Sequence, residues 1–448
     1  MLISVVIGLY LSIIILLNMP YVQGKITAAV TRELRSKLHT ELSIGKIDIG
    51  LFNRIIIEQV RINDRQNKTL VQIARLSAKF DVLPLFEGKI RINSVQLFGF
   101  TANLSRPSYE EQTNFQFIVD ALASTDTVSK PFNIDLRINS VLVRRGQINY
   151  DVFSEPPTPG KFNIHHIGID NLTATVSLKV LRKDTLHATI SRISFDEQSG
   201  FALKKFASKV VANRREFIVS NVHVGLANST VKVDSFVCAY SNGEKSIRRH
   251  DTVGYNGKLV ASISPQDIAP FLPALSSLET SFNVNLEFAG KGYDLASPVL
   301  KITNSNGIVI EGEANIHGWN AKKDMRIHSK LLRGEMDKNG IDFIAKAFLG
   351  NTPPFIQNID FLQLKGEASG RLNKLNFVGT MRSGIGELKG EMRMDIDEEN
   401  NRSYTGTMTS TDLNVGKLID NHRFGRADLN IDFNGFNYRN NYPETSIK

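Results

Sequence analysis

Ile90-Arg91-Ile92-Asn93-Ser94-Val95 recurs almost letter for letter as Leu136-Arg137-Ile138-Asn139-Ser140-Val141. In each copy apolar and polar residues alternate, two small polar residues intervene, and the apolar pattern resumes one position out of step. Alternation with period two marks a β-strand with one apolar face. A one-residue slip would carry every later side chain to the opposite face. The conflict disappears if the Asn-Ser pair is a bulge or corner, which restores the face and bends the strand. The recurring unit therefore predicts a curved sheet with a bend repeated along it. Ile167-Gly168-Ile169-Asp170-Asn171-Leu172 is a looser copy. Gln59-Val60-Arg61-Ile62 and Asn221-Val222-His223-Val224 read as worn versions of its second half.

Upstream, Ile47-x-Ile49-x-Leu51, Ile55-x-Ile57 and Leu76-x-Ala78-x-Phe80 alternate in the same way, with Asn63-Asp64-Arg65-Gln66-Asn67 as a polar turn. Phe115-Gln116-Phe117-Ile118-Val119-Asp120-Ala121-Leu122 has helical spacing, and Pro156-Pro157-Thr158-Pro159-Gly160 breaks the chain. A polar, basic stretch over 241–251 is a second irregular interval. Beyond it the repetition coarsens. Tyr255-Asn256-Gly257 leading into Ser264-Pro265 resembles Tyr404-Thr405-Gly406 leading into Thr411-Asp412. Each reads as a strand followed by a short helix capped by Ser, Thr or Asp. Strands ending in glycine lie beside them, among them Phe282 to Gly290, Phe361 to Gly366 and Leu429 to Gly435. Repeated strand pairs imply a quasi-one-dimensional β-array in which each unit buries its face against its neighbours.

The first nineteen residues, 1–19, carry no charge and are followed at once by Pro20. As a helix they would reach about 28 Å, close to the thickness of a bilayer's hydrocarbon core. A cleavable signal peptide would want a basic start and a small-residue cleavage site, and neither is present. The segment is read as a membrane anchor. Val22, Ile26, Val30, Leu34 and Leu38 then form one stripe of an amphipathic helix.

Composition narrows the function. A single cysteine, Cys238, excludes a disulfide framework and a Cys-rich zinc site. The net charge of +9 is spread along the chain, which favours anionic headgroups or no specific partner over nucleic acid. The nine histidines are scattered, and the adjacent pair His165-His166 would point to opposite faces of a strand. Gly384-Ile385-Gly386-Glu387-Leu388-Lys389-Gly390 misses the dinucleotide fingerprint by one residue. Asp395-Ile396-Asp397-Glu398-Glu399-Asn400-Asn401 lacks the calcium-loop glycine and terminal glutamate, and reads as a hairpin turn. No catalytic constellation, metal site or cofactor motif emerges. What remains is a long apolar surface, whose inward candidates are Ile47, Ile49, Val60, Ile62, Leu76, Phe80, Ile92 and Leu97. Periodicity alone leaves two readings of it open, a filled core and a trough that could contact acyl chains.

The order of elements resembles a known family. An apolar anchor, Pro20 and an amphipathic helix precede Leu42-Ser43-Ile44-Gly45-Lys46-Ile47-Asp48-Ile49-Gly50-Leu51-Phe52. Val60-Arg61-Ile62-Asn63-Asp64 follows, then Phe80-Asp81-Val82-Leu83-Pro84-Leu85-Phe86 running into the first repeat, and Asn114 to Leu122. This is similar to the N-terminal part of the TamB proteins, within the AsmA-like group of bacterial envelope proteins. The likeness is stronger over residues 1–149 than over the later repeats; the basic start of the leader and the C-terminal domain that names the family are missing. The resemblance implies a mainly β fold: a transmembrane helix and an amphipathic helix followed by an elongated, curved antiparallel β-groove, or taco. It also implies a single-pass inner-membrane protein with its body in the periplasm of a Gram-negative-type bacterium. Its partners would be phospholipid and an outer-membrane assembly barrel of the Omp family, and its role outer-membrane biogenesis.

The expected organisation is an anchor over 1–19, the amphipathic helix over 20–40, a first groove module over 41–155, a second β module over 161–250 and a repetitive groove over 251–448. The expected function is lipid transfer between membranes, or support of outer-membrane protein assembly, without chemical catalysis. The rival is a non-transporting structural or adhesive anchored β-repeat protein with a closed core.

Overall fold

The computed structural model describes residues 18–50, 53–81, 89–123, 133–182, 185–240, 253–276, 278–320, 324–349, 354–397, 401–437 and 444–447, with a few isolated positions before residue 18. The expected anchor over 1–19, the irregular stretch over 241–251 and residues 82–88 lie wholly or almost wholly outside the described residues. Among the described residues no helix is long and apolar enough to cross a membrane.

The protein is mainly β. Its chain divides into two compact units, residues 1–211 with 224–227, and 212–223 with 228–448. The first unit opens with helix α1 (Pro20–Leu38), whose stripe Val22, Ile26, Val30, Leu34 and Leu38 is half-buried. It runs antiparallel to β1 (Leu42–Gly50) and tethers that strand at both ends. The Asn18 side-chain amide donates to the Ile49 carbonyl at 2.6 Å, and Arg35 Nε donates to the Leu42 carbonyl at 2.6 Å. Covering the first strand in this way shields backbone groups that an edge would leave unpaired.

From β1 the chain meanders through β2 (Arg54–Asn63), β3 (Thr69–Asp81) and β4 (Lys89–Arg106), each antiparallel to the one before. Helix α2 (Gln116–Ala123) falls where the apolar spacing predicted one. It precedes β5 (Asn133–Val152), which pairs with β4 in parallel. That pairing departs from the all-antiparallel expectation. The connection between the two strands is long enough to bring the chain back to the same end, and it lays the two copies of the repeat side by side, Ser94 beside Ser140 and Val95 beside Val141. Strands β6 (His166–Arg182) and β7 (Thr185–Glu197) continue antiparallel, and β8 (Ala202–Ala212) follows.

The bends expected from the repeat are present. Asn93 is skipped in the β3–β4 register, and Asn171 sits at φ 55° where the β6–β7 register shifts. Gln59 sits at φ 56°, skipped between the Val60–Ile73 and Glu58–Arg75 pairs. Gly99 at φ 58° and Arg145 at φ 53° are further irregularities, on β4 and β5. At Asn93 and Asn171 an extra residue shifts the register, whereas Gln59 and Gly99 are skipped together with Ala74 of β3 and the register on either side is unchanged.

Strand β9 (Glu216–Gly225) has residues in both units. The second unit carries β10 (Thr230–Tyr240), β11 (Val253–Ile263), β12 (Phe282–Lys291), β13 (Asp294–Asn304), β14 (Ile308–His317) and β15 (Arg326–Asp337). It continues with β16 (Phe361–Arg371), β17 (Lys374–Ser383), β18 (Gly386–Ile396), β19 (Arg402–Asn414), β20 (Arg426–Asn437) and β21 (Glu444–Ile447). From β10 on, every strand pairs antiparallel with the next.

Helices recur at one end of these strands, after every fourth one. They are α3 (Pro265–Ile268) after β11, α4 (Lys338–Leu349) and α5 (Pro354–Gln357) after β15, and α6 (Val415–Leu418) after β19. The end they cover is where the buried apolar residues gather: Ile308, Ile341, Ala345, Ile385 and Leu413 are all below 9 % exposed. Ser264 caps α3 by position, without a side-chain hydrogen bond. At the second copy the expectation of a cap at Thr411 or Asp412 is corrected. Strand β19 runs on to Asn414, whose side chain accepts from the Lys417 backbone N–H at 2.9 Å, because the register shift between Ser410 and Leu413 lengthens the strand.

Candidate functional site: a half-open apolar face

In the second unit the two faces of the sheet separate cleanly. Along β17, Leu375, Phe377, Gly379 and Met381 are half-buried while Lys374, Asn376, Val378, Thr380 and Arg382 are exposed. Strands β16, β18 and β20 alternate in the same manner. The outer face is laced with cross-strand ion pairs. Lys258–Glu287 and Lys301–Glu311 are each 2.6 Å apart, and Lys330–Glu367 and Arg382–Glu387 are 3.6 Å apart. The hydrogen bond from Lys301 holds the Glu311 carboxyl below the usual carboxylate range. Exposed pairs of this kind are screened by solvent, so they fix register and solubility more than stability.

The inner face is apolar but not covered. Leu331, Leu364, Phe377, Met381, Leu388, Met392, Tyr404, Met408 and Phe433 line a cavity of about 600 Å³ open to solvent. None of these side chains is buried; all are half-exposed. A face filled by a second layer would show most of them fully buried, as at the helix-covered end. Three methionines among them give a surface of polarizable, unbranched side chains that conform to varied apolar shapes.

One feature of the cavity floor is set by backbone proximity. Gly366, Gly379 and Gly390 stand directly beside one another on three successive strands. A Cβ at Gly379 would lie 2.6 Å from the Lys365 carbonyl oxygen, and one at Gly390 would lie 2.6 Å from that of Thr407. Only glycine admits so close an approach of neighbouring strands. The repeat noted at Tyr255 and Tyr404 has a related logic. Tyr255 packs over Gly290 and Phe288 over Gly257, and the second copy sets Tyr404 over Gly435 and Phe433 over Gly406.

In the first unit the register brings together all eight residues singled out from the sequence. Ile47 stands opposite Ile57, then Leu76 and Leu97; Val60 opposite Ile73, and Ile62 opposite Val71. Ile49 faces Ile55, and Phe80 faces Ile92. Ile47 and Val60 are buried at 5 % and 8 %, whereas Ile49, Ile62, Leu76, Phe80, Ile92 and Leu97 are half-exposed. The cavity-lining residues of the second unit were not among those eight. Their signal was the alternation in Leu362-x-Leu364, Leu375-x-Phe377 and Met392-x-Met394 together with a glycine inside each strand, Gly366, Gly379 and Gly390.

Among the described residues no group of His, Cys, Asp or Glu could hold a metal ion. His166 is bound within its own loop, to Asp151 Oδ1 and to the Glu155 carbonyl, each at 2.8 Å.

Residues 1–155 match the AsmA family model. The match spans α1 to β5 and covers the face on which the eight residues gather. It supports an AsmA-like assignment for the front of the chain. No curated protein and no solved structure matches the chain.

Proposed function

We propose that this is an envelope protein of the AsmA and TamB kind, whose half-open apolar sheet faces hold the acyl chains of phospholipid without chemical catalysis. In this reading it is anchored in the inner membrane through residues 1–19 with its body in the periplasm, and serves outer-membrane biogenesis by moving lipid. Support of outer-membrane protein assembly with a partner barrel is the form that role takes if protein rather than lipid is the cargo. The observation that carries the proposal is the inner face around Met381 and Leu388, continuous and apolar yet half-exposed over a cavity of about 600 Å³. About 25 cal/mol is recovered for each Å² of apolar surface removed from water, so such a face gains by taking up a hydrocarbon chain. The AsmA family match over residues 1–155 adds weight from an independent direction.

The rival reading, a closed-core structural repeat, draws on the buried cluster at the helix-covered end. Organic extraction of the full chain purified from a bacterial envelope separates them. The proposal expects phospholipid at more than one molecule per chain, reduced when Leu97 or Met381 is changed to Asp. A lipid-free, stably folded protein would favour the closed core.

A further inference from the structure

Between its two tethers, helix α1 stands apart from β1 around a crevice of about 680 Å³. Its helical wall is built from small and hydroxyl-bearing residues. A Cβ added at Gly24 would meet nothing within 4 Å, which leaves that wall open. Thr27, Thr31, Arg32 and Arg35 line it from the helix, and Gly45 and Lys46 from the strand; no acidic side chain does. Thr31 Oγ1 is buried and without a hydrogen-bond partner. A buried hydroxyl without a partner is destabilising unless something supplies the missing bond. Arg35 already spends its Nε on the Leu42 carbonyl, and Lys46 is 2.9 Å from Asp48, so Arg32 is the cation with most freedom to meet a ligand. The sheet's apolar face begins at the same place, because Ile44, which also lines the crevice, stands opposite Val60.

We propose that this crevice binds the phosphodiester headgroup of an anionic phospholipid, with Arg32 and the Thr31 hydroxyl as its principal ligands and Ile44 leading the acyl chains onto the first unit's apolar face at Val60. Guanidinium and hydroxyl groups together match phosphate oxygens in charge and in donor geometry. The neighbouring 1–19 segment, as a membrane anchor, would hold the crevice close to a bilayer surface where such headgroups are concentrated. The inference rests on the lipid-handling reading and assigns it a point of entry.

The test uses the full chain in a nonionic detergent, titrated with dihexanoyl phosphatidylglycerol, dihexanoyl phosphatidylcholine or inorganic phosphate and followed by phosphorus NMR. Saturable phosphatidylglycerol binding is expected, weakened about tenfold by Arg32→Gln and, separately, by Thr31→Val. Lys37→Gln, an exposed change outside the crevice, should leave it unaltered. Thr31→Val removes an unpartnered hydroxyl, so a purely structural role predicts unchanged binding and equal or greater stability. Unaltered affinity in both crevice variants would overturn the proposal. So would equal binding of inorganic phosphate, which would assign the site to free phosphate. Loss of phosphatidylglycerol binding in Met381→Asp alone would assign the lipid to the second unit's face and remove it from the crevice.

Discussion

Replacing Met381 by Asp distinguishes an open trough from a filled core by magnitude. Met381 stands between Leu364 and Leu388 in the register of three strands and lines the solvent-open cavity, half-exposed. Full burial of a methionine contributes about 1.5–3 kcal/mol, so its half-burial contributes about 1 kcal/mol. The carboxylate of the variant reaches water through the cavity mouth and escapes the cost of an unpaired buried charge. The expected loss is therefore about 1–2 kcal/mol, with the strands intact. In a filled core the same carboxylate would be desolvated, with a loss of more than about 4 kcal/mol and local unfolding of β16 to β18. Hydrogen exchange of the backbone amides in these strands measures the local opening free energy without requiring the whole chain to unfold in one step. Retained protection, reduced by no more than about thirtyfold, agrees with the trough. Loss of protection across β16, β17 and β18 would refute it.

Gly379→Ala should destabilise by about 1–2 kcal/mol, because its Cβ meets the Lys365 carbonyl at 2.6 Å and that backbone is fixed in the sheet; a neutral or stabilising outcome in the same exchange measurement would contradict the close approach of the strands. Gln59→Val, which raises β-propensity, should nevertheless cost about 1–3 kcal/mol, since a β-branched side chain cannot settle at φ 56°; a gain in stability would mean that the left-handed conformation at this position is absent. The Asp151 carboxylate and the Glu155 carbonyl raise the pKa of His166, so its clamp on the 153–165 loop is fully present below pH 6.5 and lost as the pH rises through the folded-state value. Limited proteolysis of that loop should be slower at pH 5.5 than at pH 8, and His166→Gln should abolish the difference.

The bends were legible because a bulge leaves a mark in the sequence. The slip in register at Asn93 and at Asn171 shows on the page as a broken alternation, and the only physical remedy is an extra residue. The parallel pairing of β4 and β5 was not legible, since strand direction depends on where a long connection returns the chain. The row of aligned glycines was half-legible. Each glycine could be read singly, but their alignment depends on two-residue connections at 372–373 and 384–385 that set the register of β16, β17 and β18. The helical cap moved from Thr411 to Asn414 because a register shift lengthened its strand, which local propensity does not report. The separation of a trough from a core depended on what lies above the apolar face, and alternation along a strand carries no information about that layer.

The most direct measurement is photo-crosslinking in living cells, with a benzophenone amino acid placed singly at Met381 and Leu388 on the inner face and at Val378 and Lys389 on the outer. The account predicts phospholipid adducts at Met381 and Leu388 and none at Val378, which is 57 % exposed to solvent on the opposite side, or at Lys389. Adducts at all four positions alike, or protein adducts on the inner face with no lipid, would contradict it.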